Sequence, residues 1–161
     1  MRLPEASSST TRNAKLVAAA LLAVSFLLPQ YTCAMYRGPD GKTVQAVPQG
    51  TNAKQYMPFR ERHYAWEDAH WNDASSWIAP TVFLCPLLLL PWGLRGKRGR
   101  IGRLCWWLEP FFVGGSLYVV WTFSSLGDRA IGAYLGLGAD GLYGLAWLLD
   151  ARMRWARLRS T

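Results

Sequence analysis

The chain has 161 residues, 51% of them hydrophobic, with nine Trp, three Cys and a formal net charge of +8. Apolar blocks joined by polar connectors are unlike an ordinary soluble domain and fit a membrane protein. An odd number of cysteines, lying in or beside apolar runs, does not make a disulfide framework. The basic residues flank apolar runs and do not share a surface with stacking aromatics, so nucleic acid is not expected as a partner. Anionic lipid headgroups are, at about 1 kcal/mol per Lys or Arg near the surface.

Residues 1–15 are Ser/Thr-rich, basic and without periodicity, which predicts a disordered cytoplasmic head. Residues 16–34 hold a short apolar run followed by Pro29 and then Thr32, Cys33 and Ala34. That order matches a signal peptide cut before Met35, and equally an uncleaved anchor helix. Residues 35–76 form the sizeable polar segment, expected outside the cytoplasm. Pro39-Asp40-Gly41 predicts a turn, since Pro presets one dihedral and Gly supplies a positive φ. Residues 43–47 alternate weakly, as a short strand would. Residues 59–71 are rich in helix formers and aromatics, which predicts a short helix on the membrane surface. Tyr56, Phe59, Tyr64, Trp66, Trp71 and Trp77 would then form an interfacial belt.

Residues 77–94 predict a transmembrane helix. Pro80 falls in its first turn, where Pro is cheap; Pro86 is mid-span, so it should kink the helix and free a carbonyl that a neighbour must cover. Residues 95–103, RGKRGRIGR, contain five Lys or Arg and no acid, which assigns them to the cytoplasmic face. Residues 104–123 and 130–149 predict two more crossings, joined by an outer turn at 124–129, and residues 150–161 form a basic cytoplasmic tail. In this topology the cytoplasmic segments hold twelve basic residues against two acids, and the outer segments hold six of each. The expected fold is therefore an all-α integral membrane protein with three transmembrane helices after an N-terminal signal peptide or fourth anchor helix.

Gly132, Gly136, Asp140 and Gly144 recur every fourth residue, one stripe on one helix face where another backbone can approach closely. In an antiparallel hairpin, counting inward from the membrane edges puts Asp140 level with Ser116 and brings Glu109 near the depth of Gly144. An ionised carboxylate at mid-membrane costs about 2.5–3.5 kcal/mol, so Asp140 is expected to be protonated, hydrogen-bonded or wet. Glu109 is expected to reach headgroup water or to pair with Arg103. In the outer segment His63, Glu67 and His70 share one face if a helix forms, with Asp73 a further turn on. Imidazole and carboxylate suit Zn or Cu, although this is not HExxH and no second shell can be named.

No nucleotide-binding loop, nucleophile elbow or cysteine with an adjacent base is present. The sequence therefore points to a non-enzymatic protein without a cofactor. The reading is a small accessory, assembly or immunity-type protein of the cell's inner membrane, multi-pass, with its C-terminus in the cytoplasm and its N-terminus too if uncleaved. Its expected partners are the lipid bilayer with anionic headgroups and another membrane protein or a second copy of itself. Two alternatives remain: a small transporter or proton-conducting subunit using Asp140 and Glu109, and an envelope metal-binding protein through His63, Glu67 and His70.

Overall fold

Helix α1, Ala6–Leu27, follows from a run of Ala, Leu and Val, and it stops where Pro29 disfavours a helical conformation in the residue before it. The computed structural model describes residues 6–67, 73–94 and 100–159. Beyond α1 come strands β1 (Pro29–Arg37), β2 (Thr43–Val44) and β3 (Met57–Tyr64), then helices α2 (Ile78–Leu94) and α3 (Arg100–Ser125), strand β4 (Asp128–Arg129) and helix α4 (Ile131–Leu158).

All pairings in the sheet are antiparallel and all involve β1. On one side it pairs along its length with β3, from Arg37 opposite Met57 to Tyr31 opposite His63, with an irregularity between Pro29 and Tyr31. On the other side β2 takes its end at Tyr36 and Arg37, and β4 takes its start at Tyr31 and Thr32. The turn between β1 and β2 has Gly41 at φ 77°, the left-handed conformation expected of glycine in Pro-Asp-Gly. At Gly127, leading into β4, a Cβ would lie 2.7 Å from the Thr32 carbonyl oxygen, so only glycine lets this turn close on β1.

The helices pack with their buried residues at alternating spacings of three and four, the period of a knobs-into-holes seam. In α1 the seam is Thr11, Lys15, Ala18, Leu22 and Ser25; in α3 it is Trp106, Glu109, Val113, Ser116 and Val120. One apolar layer gathers Leu22, Phe83, Val120 and Ala139, with Phe26 edge-on to Phe83 at 5.3 Å. The next gathers Ala18, Val113 and Tyr143.

This architecture corrects the all-α, three-span expectation. The described chain holds four helices and a four-stranded antiparallel sheet. Among the described residues a single window, Ala74–Pro91, is long and apolar enough to cross a membrane by length and composition. The protein is not a three-span all-α membrane protein. Helices α3 and α4 miss that threshold because their inward seams carry polar side chains, Glu109 and Ser116 in one, Asp140 and Asp150 in the other, and their ends are arginine-rich.

Smaller expectations change too. Residues 6–15 are helical, continuous with the apolar run, and do not form a disordered head. Residues 57–64 are a strand where a surface helix was expected, because pairing with β1 gives these aromatic and charged residues a ladder that an isolated amphipathic turn lacks. A cut before Met35 would fall inside β1, the strand on which every other strand depends. Helix α4 runs nine residues past the expected end of the last apolar block. Residues 95–99 of the basic loop lie outside the described residues.

Candidate functional site

The unusual chemistry is inside the helical bundle. Four polar levels follow one another along α4, at Gly132, Asp140, Tyr143 and Asp150, a length of about 27 Å at 1.5 Å per residue.

Nearest the sheet, Ser25 Oγ donates to the Gly132 carbonyl at 2.8 Å. Gln30 Nε2 donates to the Ser25 carbonyl at 2.6 Å and to that of Leu28 at 3.2 Å. Gln30 is fully buried. Close approach at this level depends on glycine: a Cβ at Gly132 would lie 2.5 Å from the Pro29 carbonyl oxygen, and one at Gly136 would lie 2.8 Å from Ser25 Oγ. The small-residue stripe therefore serves packing chiefly against α1 and the start of β1. Only Gly144 faces α3 alone, at an ordinary 3.8 Å from Val113.

At the second level Ser116 Oγ lies 2.9 Å from the Phe83 carbonyl and 3.0 Å from Asp140 Oδ2. This carbonyl sits beside the break that Pro86 makes in the ladder of α2. A serine hydroxyl has one proton. When it goes to the carbonyl, which can only accept, the contact with Asp140 needs a proton from the acid; when it goes to Asp140 Oδ2, the acid is the acceptor.

At the third level Lys15 and Glu109 form an ion pair, with side chains 9% and 1% exposed. The ammonium also lies 5.3 Å from the centre of the Tyr143 ring. Glu109 thus pairs with a lysine of α1; the side chain of Arg103, the partner expected for it, lies outside the described residues. At the fourth level Trp106 Nε1 donates to Asp150 Oδ2 at 3.2 Å, Trp147 Nε1 donates to the Trp106 carbonyl at 3.2 Å, and the two indoles stack at 5.3 Å.

Among the described residues, four buried atoms along this column have no hydrogen-bond partner: Gln30 Oε1, Asp140 Oδ1, Tyr143 OH and Glu109 Oε1. Buried polar groups are ordinarily satisfied, so three such atoms from Asp140, Tyr143 and Glu109, on two facing helices, mark the site.

Of the residues singled out from sequence, Ser116, Asp140, Gly132, Gly136 and Glu109 all line this interior. Lys15, Ser25, Gln30 and Tyr143 were not anticipated. The signal for two of them was present: Lys15 and Ser25 fall on the same three-four seam as Ala18 and Leu22, which a reading of residues 1–15 as a separate head conceals.

Among its described residues the outer segment gives no comparable cluster. His63 is in β3 and Glu67 in the turn after it, so the helical face expected for His63, Glu67 and His70 does not form, and His70 lies outside the described residues. His63 Nδ1 still meets Glu67 Oε2 at 3.3 Å, and its ring stacks on Tyr31 at 4.7 Å. Glu67 also accepts from the Tyr64 backbone N–H, and Asp73 caps the turn that leads into α2 by accepting from Ser75 N–H. Among the described residues no three metal-ligating side chains come together.

Comparison with family models, with curated proteins and with solved structures finds no match to this chain.

Proposed function

We propose that this is a small non-enzymatic accessory or assembly protein seated in a cell's inner membrane, working through helix packing and through its outer sheet. The observation that carries the reading is the polarity of the bundle. Lys15, Glu109, Ser116 and Asp140 are buried, while Phe111, Tyr118, Trp107, Tyr134, Leu145 and Leu148 stand out from its surface, Phe111 at 75% exposure. In water this distribution is costly: outward apolar area forgoes about 25 cal/mol per Å² of burial, and large exposed apolar patches mark interaction or membrane faces. Against lipid or apolar partner helices the outward apolar area no longer carries that cost.

Two further features support it. The end of α4 carries Arg152, Trp155 and Arg159 around an open groove of about 550 Å³ that runs down to Leu148, a combination suited to anionic headgroups at a membrane interface. At the other end β3 is, among the described residues, an edge strand of the sheet, suited to pairing with a partner's strand. By the positive-inside rule the arginine-bearing end of α4 is cytoplasmic.

The reading is tested by purifying the protein in mild detergent and measuring the mass of the particle. A larger complex, with a second copy or another membrane protein, that Tyr118→Arg dissolves without loss of helix content is the expected result. A monomer with nothing bound, unchanged by that substitution, would contradict it.

A further inference from the structure

We infer that the outer edge of β3 takes an extended, acidic segment of a partner protein as a further strand, which makes the sheet the part of the molecule that selects its partner. That assignment deepens the assembly reading proposed above and rests on it.

The main-chain bonds of the sheet fix which part of β3 is available. Gly38 N–H donates to the Lys42 carbonyl at 2.9 Å and Ala130 N–H to the Gln30 carbonyl at 3.1 Å, so the even-numbered residues of β1 face β2 and β4. Main-chain groups alternate in direction along an antiparallel strand. Tyr31, Cys33, Met35 and Arg37 therefore face β3, opposite His63, Glu61, Phe59 and Met57. That leaves Pro58, Arg60, Arg62 and Tyr64 turned away from the sheet, and among the described residues β3 pairs with β1 alone.

This edge is closed at both ends. Pro58 has no N–H to give. Tyr64 gives its N–H to the Glu67 carboxylate at 3.1 Å, and its carbonyl accepts from Glu67 N–H at 3.2 Å. Between them the N–H and C=O groups of Arg60 and Arg62 face outward, a window suited to a short added strand.

The side chains in the window set the partner's chemistry. Arg60 and Arg62 are two positions apart, so they stand on one face of the sheet, and both are exposed. Arg60 Nη2 lies 3.5 Å from Asp128 Oδ2, with the two side chains 73% and 70% exposed, an ion pair that solvent makes weak and easily exchanged. Arg62 has no ion pair among the described residues. An added strand sets one of its side chains opposite each arginine on this face. Opposite charges across a pair are favourable and like charges are not, so the matching strand carries Asp or Glu at alternate positions.

The same geometry disfavours a second copy here. Two β3 strands related by a twofold axis hydrogen-bond through their outward residues, so even positions pair with even, and registers centred on the window set arginine opposite arginine. The two arginines thus keep identical edges apart and admit an acidic one.

The test is fluorescence anisotropy on the full chain in mild detergent with three labelled peptides. The first is Ser-Val-Glu-Val-Glu-Val-Ser; the second has Lys in place of both Glu; the third is the first N-methylated at both Glu, which blocks the amides that would face the edge. Wild-type protein should bind the Glu peptide about tenfold more tightly than the Lys peptide, and N-methylation should abolish binding. Arg60→Glu with Arg62→Glu, at unchanged helix content, should reverse the order of the Glu and Lys peptides. Equal binding of the Glu and Lys peptides by wild type would overturn the inference. So would undiminished binding of the N-methylated peptide, which would mean charge attraction without strand pairing. A change in particle mass on Arg60→Glu with Arg62→Glu in the absence of peptide would give the edge to a second copy and overturn it as well. None of these results bears on helix packing, which fails separately if the particle is a monomer that Tyr118→Arg leaves unchanged.

Discussion

Lys15 and Glu109, 94 residues apart in sequence, form an ion pair inside the helical bundle. Removing one partner of a buried pair leaves an uncompensated charge, at a cost of about 3–5 kcal/mol, whereas replacing both by apolar residues of similar volume is often neutral. Lys15→Met should therefore lower the melting temperature sharply in thermal denaturation followed by circular dichroism. The double substitution Lys15→Met with Glu109→Leu should recover most of the loss. Equal destabilisation by the single and double variants would mean that the two charges do not meet.

The glycines of α4 make an internal comparison within one helix. Gly132 and Gly136 have no room for a Cβ, while Gly138 has none of its neighbours within 4 Å of one. Gly132→Ala should cost about 1–3 kcal/mol through overpacking against backbone that cannot move aside. Gly138→Ala should stabilise by about 0.5–1 kcal/mol, because alanine loses less backbone entropy in a helix. The two melting curves should move in opposite directions; a shift of the same sign would contradict the α1–α4 contact.

At Asp140 the expected species is a neutral carboxyl in contact with Ser116. Asp140→Asn keeps a donor at the same place and should hold stability to within about 1 kcal/mol, while Ser116→Ala, which strips both the acid and the Phe83 carbonyl, should cost about 1–3 kcal/mol. Infrared difference spectra at neutral pH should show a protonated carboxyl band that Asp140→Asn abolishes. A spectrum unchanged by that substitution would place the proton elsewhere.

Because α1 supplies Lys15 and Ser25 to the interior and leads directly into β1, the folded protein should retain these residues. Intact-mass measurement of the purified chain should include everything from the described start of α1 onward. A mature chain beginning at Met35 would contradict the packing of both α1 and the sheet.

Part of this fold is legible in the sequence, and the reason differs from place to place. The level of Asp140 with Ser116 follows from counting along two helices joined by a short turn, because helical rise is constant. The spacing of Gly132, Gly136 and Gly144 reads directly as a close-contact face, though not which neighbour it meets. Of the sheet only β2 was readable, from the weak alternation of residues 43–47: residues 29–37 look like the tail of an apolar helix and a cleavage site until β3 is known to lie beside them, and pairing between residues 20 to 35 positions apart, from Arg37 with Met57 to Pro29 with Tyr64, leaves no local periodic mark. The role of Lys15 was hidden similarly. A lysine next to a Ser/Thr-rich head looks solvated, and only the continuation of the three-four seam through Ala18, Leu22 and Ser25 shows it turned inward.

Everything proposed for function depends on the reversed polarity of the bundle, with charges inside and aromatic side chains outside. Extraction of cell membranes with alkaline carbonate, followed by immunoblotting of pellet and supernatant, tests it most directly. The protein should remain in the pellet and enter solution only when detergent is added. Recovery of folded protein in the detergent-free supernatant would show that water meets the face bearing Phe111 and Tyr118, and would contradict the membrane seat.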